Sequence, residues 1–164
     1  MRWKTVIDDM DLSELKLRRI NTCIKVQQRV VDNNRNFDMT AWQDIEDHPT
    51  WAHKTEKDLH TCGSAACFGG YLALSPEWKR AGGSVDMEGT PVYEEKVQQE
   101  AVQAFLGLSQ YVSQDRSLGY QLVAPYGNLY GLQFSDRLED VDITAKDVLT
   151  RLKYAREVAV KQRA

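Results

Sequence analysis

The sequence predicts a mainly α-helical single domain of about five to six helices with a small β-hairpin. Three observations point there. Apolar residues recur at steps of three and four through Leu17, Ile20, Cys23, Ile24, Val30 and Val31, again through Val97, Ala101, Ala104, Phe105 and Leu108, and again through Val148, Leu149, Leu152, Ala155 and Ala159. That spacing lays one apolar stripe along a helix. A single stretch, "SVDMEGTPVYE", alternates as strands around a turn do. Finally, a chain of 164 residues, 42% of them hydrophobic, is about one domain's worth, and neither a linker nor an internal repeat divides it.

The first helix expected runs from Leu12 to about Val31, with Asp11 or Ser13 as N-cap, and stops at Asp32-Asn33-Asn34, side chains that bond local backbone and favour turns. Its Arg18, Arg19, Lys25 and Arg29 fall at polar positions and read as a solvated face. A short helix is expected from Thr40 to about Asp47, closing before His48-Pro49 because a residue preceding proline avoids the helical region. Phe37, Trp42 and Ile45 would pin it to the core. In "HTCGSAACFGGYLAL", residues 60–74, Gly63 and Ser64 read as a turn and an N-cap, and the helix ends at Ser75-Pro76. Glycine inside a helix costs about 1 kcal/mol relative to alanine, so the Gly69-Gly70 pair implies a compensating role. With Ala65, Ala66 and Ala73 it makes a bare face that lets another backbone approach, which places this helix centrally.

Pro76 to Ala81 reads as a short helix stopped by Gly82-Gly83. In the hairpin, Val85 and Met87 alternate on one strand and Val92 and Tyr93 follow on the other. The next helix is expected over 94–106 with Gly107 as its breaker, then a short one from a Ser109 cap to about Leu118. "GYQLVAPYGNLYGLQFSD" is turn-rich and aromatic, and the last helix starts from an Asp142 or Thr144 cap and ends in cations that suit its dipole.

Composition excludes several function classes. Twenty-one basic against 24 acidic side chains leave a formal charge of -3, so no bulk field draws the chain onto nucleic acid. Direct nucleic-acid binding is not expected. No run approaches the ~18 apolar residues of a membrane span, and the N-terminal residues lack the apolar stretch of a signal peptide, so the expected location is cytoplasmic, without a membrane partner. Three cysteines are too few and odd in number for a disulfide scaffold, although a Cys62–Cys67 bond stays open.

Two local constellations could carry chemistry. His48, His53, His60, Cys62 and Cys67 fall within twenty residues and are the types zinc takes, but their spacing matches neither the paired-cysteine knuckle nor the helical histidine pair. Exposed histidines beside buried thiols are the stronger reading, and no cofactor is expected. Cys62-Gly63-Ser64 before a helix has the form of a cysteine-nucleophile opening, yet no histidine follows His60 to complete the papain-like architecture. Phosphate-binding loops, zinc-protease helices and nucleophile elbows are absent from the sequence. Paired carboxylates such as Asp8/Asp9, Asp44/Asp47 and Asp140/Asp142 carry no weight without geometry.

"FDMTAW", "CGSAACFGGYLAL" and "AVQAFLGLS", in that order, resemble segments shared by small proteins encoded by tailed bacteriophages and prophages. The resemblance covers about residues 36–120. Ser64 stands where threonine is commoner, and the aromatic loop and final helix of 120–164 lie beyond the shared part. Because those proteins are mostly of unassigned activity, the resemblance implies origin and fold and transfers no catalytic residue.

The resulting expectation is a phage accessory protein that acts stoichiometrically, binding and inhibiting or sequestering a host protein or a small ligand of a host defence. Its expected surface is the aromatic loop with Tyr120, Tyr126, Tyr130 and Phe134 and the neighbouring Arg116 and Arg137, since tyrosine and arginine concentrate interface energy. Two alternatives stand beside it: a cysteine- or zinc-dependent enzyme built on the 48–67 segment, and an acidic regulatory protein that mimics DNA.

Overall fold

The computed structural model describes residues 2–37, 66–87, 89–108 and 143–164. Along the chain these form α1 (Arg2–Asp8), α2 (Leu17–Asp32), α3 (Phe68–Leu74), α4 (Pro76–Arg80), β1 (Ser84–Val85), β2 (Pro91–Tyr93), β3 (Lys96–Val97), α5 (Gln98–Phe105) and α6 (Ala145–Arg163). The architecture is mainly α, as the periodicities require, with one small antiparallel sheet in the order β1-β2-β3. The helices expected over 40–47 and 109–118, the Gly63-Ser64 turn and cap and the aromatic loop lie outside the described residues, as do Trp42 and Ile45.

α2 and α6 are the long elements, and they pack along each other. Ile20, Cys23, Val26 and Val30 on α2 join Val148, Leu152, Ala155 and Ala159 on α6 in one buried cluster. Of the two caps expected for α6, Thr144 is the one used. Its hydroxyl accepts the Asp147 N–H at 3.2 Å while the Asp147 carboxylate accepts the Thr144 N–H at 2.8 Å, satisfying two orphan donors at once. α1 has no counterpart among the expected elements. Its seven residues carry only one short apolar group, through which Ile7 enters the core and Trp3 and Val6 lean on it.

α2 begins five residues later than its periodicity suggests. Asp11 is no helix cap, because its carboxylate accepts both the backbone N–H and the hydroxyl of Ser13 at 3.0 and 2.6 Å, closing a local turn. The rest of this connection is tied to the far end of the chain. Gln162 donates to the Met10 carbonyl at 2.7 Å and accepts the Leu12 N–H at 2.7 Å. Arg163 donates to the carbonyls of Ser13 and Leu15. Those tethers hold the backbone of 10–15 away from helical pairing while Leu12 and Leu15 are buried as anchors. Lys16 then caps α2 without a side-chain bond.

α3 is buried at every one of its seven residues, which agrees with the central placement implied by its glycines and alanines. It starts at Phe68 rather than Ser64. Cys67 is extended and serves as N-cap, and Ala66 pairs with Phe37 in an isolated parallel bridge, so Cys67 lies before the helix and not one turn inside it. Ser75 ends α3 and caps α4, its hydroxyl donating to the Leu72 carbonyl at 2.7 Å and accepting the Trp78 N–H at 3.2 Å.

The sheet has three strands, not two. Ser84 pairs with Val92 and Val85 with Pro91, whereas Met87 sits in the intervening turn, exposed by 74%, and continues no strand. Tyr93 pairs with Lys96 across Glu94 and Glu95, both at positive φ (49° and 64°). Positive φ at both central residues is the geometry of a tight hairpin turn and cannot continue a helix. α5 consequently starts at Gln98, not at 94, and Val97 belongs to β3 with 49% exposure instead of joining a buried helical face. Behind the sheet, Trp78, Tyr93 and Phe105 meet with ring centroids 5.0 to 5.6 Å apart. The indole N–H of Trp78 donates to the Ser84 carbonyl at 2.9 Å. Gly107, at φ 81°, ends the α5 region, and the Leu106 carbonyl accepts the Lys16 N–H at 2.8 Å, joining this half of the core to the start of α2.

Candidate interaction face

Tyr120, Tyr126, Tyr130, Phe134, Arg116 and Arg137 lie outside the described residues, and so do His48, His53, His60 and Cys62. Cys67 is buried at the head of α3. Cys23 is a buried free thiol in the α2 row, and loss of hydration pushes its ionisation well above the ordinary cysteine range despite the field of Arg19. It is a packing residue. Among the described residues no three His, Cys, Asp or Glu side chains gather in a way that could hold a metal ion.

The distinctive chemistry of the described residues is instead on the outside of α2 and α6. Residues 16–32 and 145–163 together carry eleven of the chain's 21 Lys and Arg but only three of its 24 Asp and Glu. The packing then sorts these cations. Arg29 gives two hydrogen bonds to Glu77 of α4 at 2.7 and 3.0 Å, and that contact holds the Glu77 carboxyl below the usual range. Arg19 lies over the Phe105 ring at 4.5 Å. Arg151 is buried with its guanidinium 5.5 Å from the Trp3 ring, and Arg163 holds the 13–15 backbone. These four act structurally. The other seven remain exposed: Lys16 and Lys161, and Arg18, Lys25, Lys146, Lys153 and Arg156. None of these last five forms an ion pair among the described residues.

The five share one side of the molecule. At 100° per residue, positions seven apart on a helix lie nearly in line, so Arg18, Lys25 and Asp32 form one row on α2. Leu17, Ile24 and Val31, each half-buried, form the row beside it. On α6 the corresponding row is Lys146, Lys153 and Val160, with Arg156 one turn beyond Lys153. α2 and α6 run antiparallel: Gln27 donates to the Ala145 carbonyl at 2.8 Å near one end, and Arg163 reaches Ser13 at the other. Lys153 donates across the seam to Gln28 at 3.3 Å. Gln28 sits one turn from both Ile24 and Val31, so the half-buried apolar row runs along the seam between the two sets of cations. Val160, 43% exposed, closes the apolar strip from the α6 side.

On the opposite flank of α6 a second cluster is self-satisfied. Trp3 meets Tyr154 edge-on at 5.5 Å, Lys4 lies 5.2 Å from the Tyr154 ring, and the Tyr154 hydroxyl donates to Asp8 at 2.7 Å. That bond raises the tyrosine's ionisation above its ordinary value. It fastens α1 to α6.

No family model, no curated protein and no solved structure matches this chain. No helix among the described residues is long and apolar enough to cross a membrane.

Sequence reasoning missed the α2–α6 face. The cations of α2 are visible as polar positions, but nothing local pairs them with those of α6, more than a hundred residues later.

Proposed function

We propose that the chain is a binding protein that acts stoichiometrically on a macromolecular partner and makes its contact through the outer α2–α6 face. The observation that supports this reading is the set of five exposed cations, none ion-paired among the described residues, on two long helices held rigidly by a shared core. A local excess of like charge destabilises a fold slightly and gains a use when an oppositely charged surface covers it. In keeping with the resemblance to phage and prophage proteins, the partner is a host protein of the bacterial cytoplasm, and binding inhibits or sequesters it.

The test compares two immobilised full-length proteins, the native chain and a Lys25→Glu/Lys153→Glu/Arg156→Glu variant, in capture from a bacterial lysate with quantitative mass spectrometry. A protein retained at near-equimolar amount by the native chain and lost from the variant supports the reading. Identical capture profiles refute it.

A further inference from the structure

We infer that the seam between α2 and α6 is a docking groove for an acidic amphipathic helix of the partner. This rests on the reading of the chain as a binding protein and names the chemistry of what it binds. The floor of the groove is apolar: Leu17, Ile24 and Val31 keep part of their surface open although Leu17 and Ile24 also touch the core, and Val160 faces solvent from the other wall. Both rims carry more cations than anions, with Arg18 and Lys25 beside Asp32 on α2 and Lys146, Lys153 and Arg156 beside Glu157 on α6. A helix laid in such a groove buries residues at i, i+3, i+4 and i+7 against the floor. Its flanking side chains then face the rims, as the charged flanks of coiled-coil seams do, and carboxylates there meet cations on both sides.

The dimensions agree with one helix. From Leu17 to Val31 the floor runs about 21 Å at 1.5 Å per residue, room for roughly four turns. The bond from Lys153 to Gln28 keeps one rim ammonium poised over the seam, so part of the ordering that an interface must impose on a long side chain is already present. Other occupants fit less well. Nucleic acid would use the cations and set the apolar floor against phosphates. A second copy of this chain would bring cations against cations. A membrane would be met by a face that lacks aromatic residues.

The probe is a fluorescent synthetic peptide of about five helical turns, with leucines at heptad a and d positions and glutamates at e and g. Its controls are a scrambled peptide of the same composition and a short DNA duplex, each titrated against the full-length chain by anisotropy. The acidic helix is expected to bind at least about tenfold more tightly than the scrambled peptide, to weaken with added salt, and to lose at least about tenfold with Lys25→Glu/Lys153→Glu/Arg156→Glu, a difference worth about 1.4 kcal/mol. Val160→Thr removes apolar contact without changing charge and keeps the fold intact on an exposed site. It should weaken the peptide several-fold. Equal affinity for the scrambled peptide, tighter binding of the duplex with no response to Val160→Thr, or no peptide binding at all overturns the inference. If lysate capture still depends on the three cations in any of those cases, the groove assignment alone fails. If capture is also insensitive to them, the binding-protein reading fails with it.

Discussion

The two halves of the described core solve the same burial problem with opposite means. α2 and α6 are long, amphipathic and packed on one face, so their other faces can carry charge without cost to the core. In the half formed by α3, α4, the sheet and α5, no element exceeds eight residues, and short elements of that kind are marginal without tertiary support. There the bulkiest rings turn inward: α3 has no exposed residue, and three aromatic rings meet behind the sheet, while the exposed side chains are scattered over α4, the strand turns and the start of α5. The difference shows where an interaction surface can reside. A half built of short elements around buried rings depends on most of its large side chains for packing, while the helix pair presents a continuous face that its own stability does not require.

The largest effect should come from breaking the aromatic half. Trp78 is fully buried, touches Tyr93 and Phe105, and donates to Ser84. Trp78→Ala should cost about 3–5 kcal/mol in chemical denaturation. A loss under ~1 kcal/mol would show that these rings are peripheral and would cancel the contrast between the halves.

The two glycines beside that tryptophan offer a finer cut. A Cβ built at Gly83 would lie 2.2 to 2.5 Å from atoms of the Trp78 indole, a ring with no room to retreat, whereas one at Gly82 meets nothing within 4 Å but sits at φ 93°. Gly83→Ala should therefore destabilise by overpacking, roughly 1–3 kcal/mol. Gly82→Ala should cost about 1–2 kcal/mol, the strain of the left-handed region alone. Only the first should perturb tryptophan fluorescence, and a matching spectral change in Gly82→Ala would contradict the assignment of the two mechanisms.

How much of this was legible in the sequence follows the same division. α6 could be read almost to the residue because its signals are local: a Thr144-x-x-Asp147 cap and an unbroken apolar stripe. The start of α2 could not, since the groups that unwind residues 10–15 are Gln162 and Arg163, at the other end of the chain. β3 was hidden because its turn is built from Glu94 and Glu95, without the glycine or asparagine that normally announces positive φ. The candidate face was half visible. Arg18 and Lys25 stood out as polar positions, but a row on α2 becomes a rim only when antiparallel packing sets α6 beside it.

Within the helix pair, the cap is the strongest local feature. Thr144→Ala removes both the acceptor for Asp147 N–H and the reciprocal geometry, and should cost about 1 kcal/mol. The effect should fall on the first turn of α6, visible as faster amide exchange at 145–148. Uniform exchange changes along α6 would mean that the cap is not locally decisive.

The link between the halves supplies a pH-dependent effect. Glu77 is held below its usual ionisation range, chiefly by hydrogen bonds from Arg29, which outweigh the opposing effect of partial burial. A carboxylate depressed in the folded state contributes stability above its unfolded pKa, and that contribution disappears as pH falls through the folded value. The pair is partly exposed, so the expected contribution is below about 1 kcal/mol. Comparing the native chain with Glu77→Gln, the stability gap should be present at neutral pH and close on acidification below the normal glutamate range. A gap that persists unchanged in acid would show that packing of the Glu77 stem, not its charge, accounts for the difference.

The smallest effect predicted is also the one that defines the face. Lys25→Glu with Arg156→Glu changes the charge of the groove by four units, yet both residues are exposed and neither forms an ion pair among the described residues. Substitutions at such positions usually shift stability by no more than about 0.5 kcal/mol. If anything a small gain is expected, because reversing two charges relieves repulsion within a cluster of cations. Denaturation midpoints of the native and doubly substituted chains should therefore coincide within that margin at physiological ionic strength, with the variant slightly favoured at low salt, where screening no longer masks the repulsion. A loss above ~1 kcal/mol would mean that these side chains support the fold. The helix pair would then need its outer face for stability just as the aromatic half needs its rings, and the separation between a structural half and an interacting half would collapse.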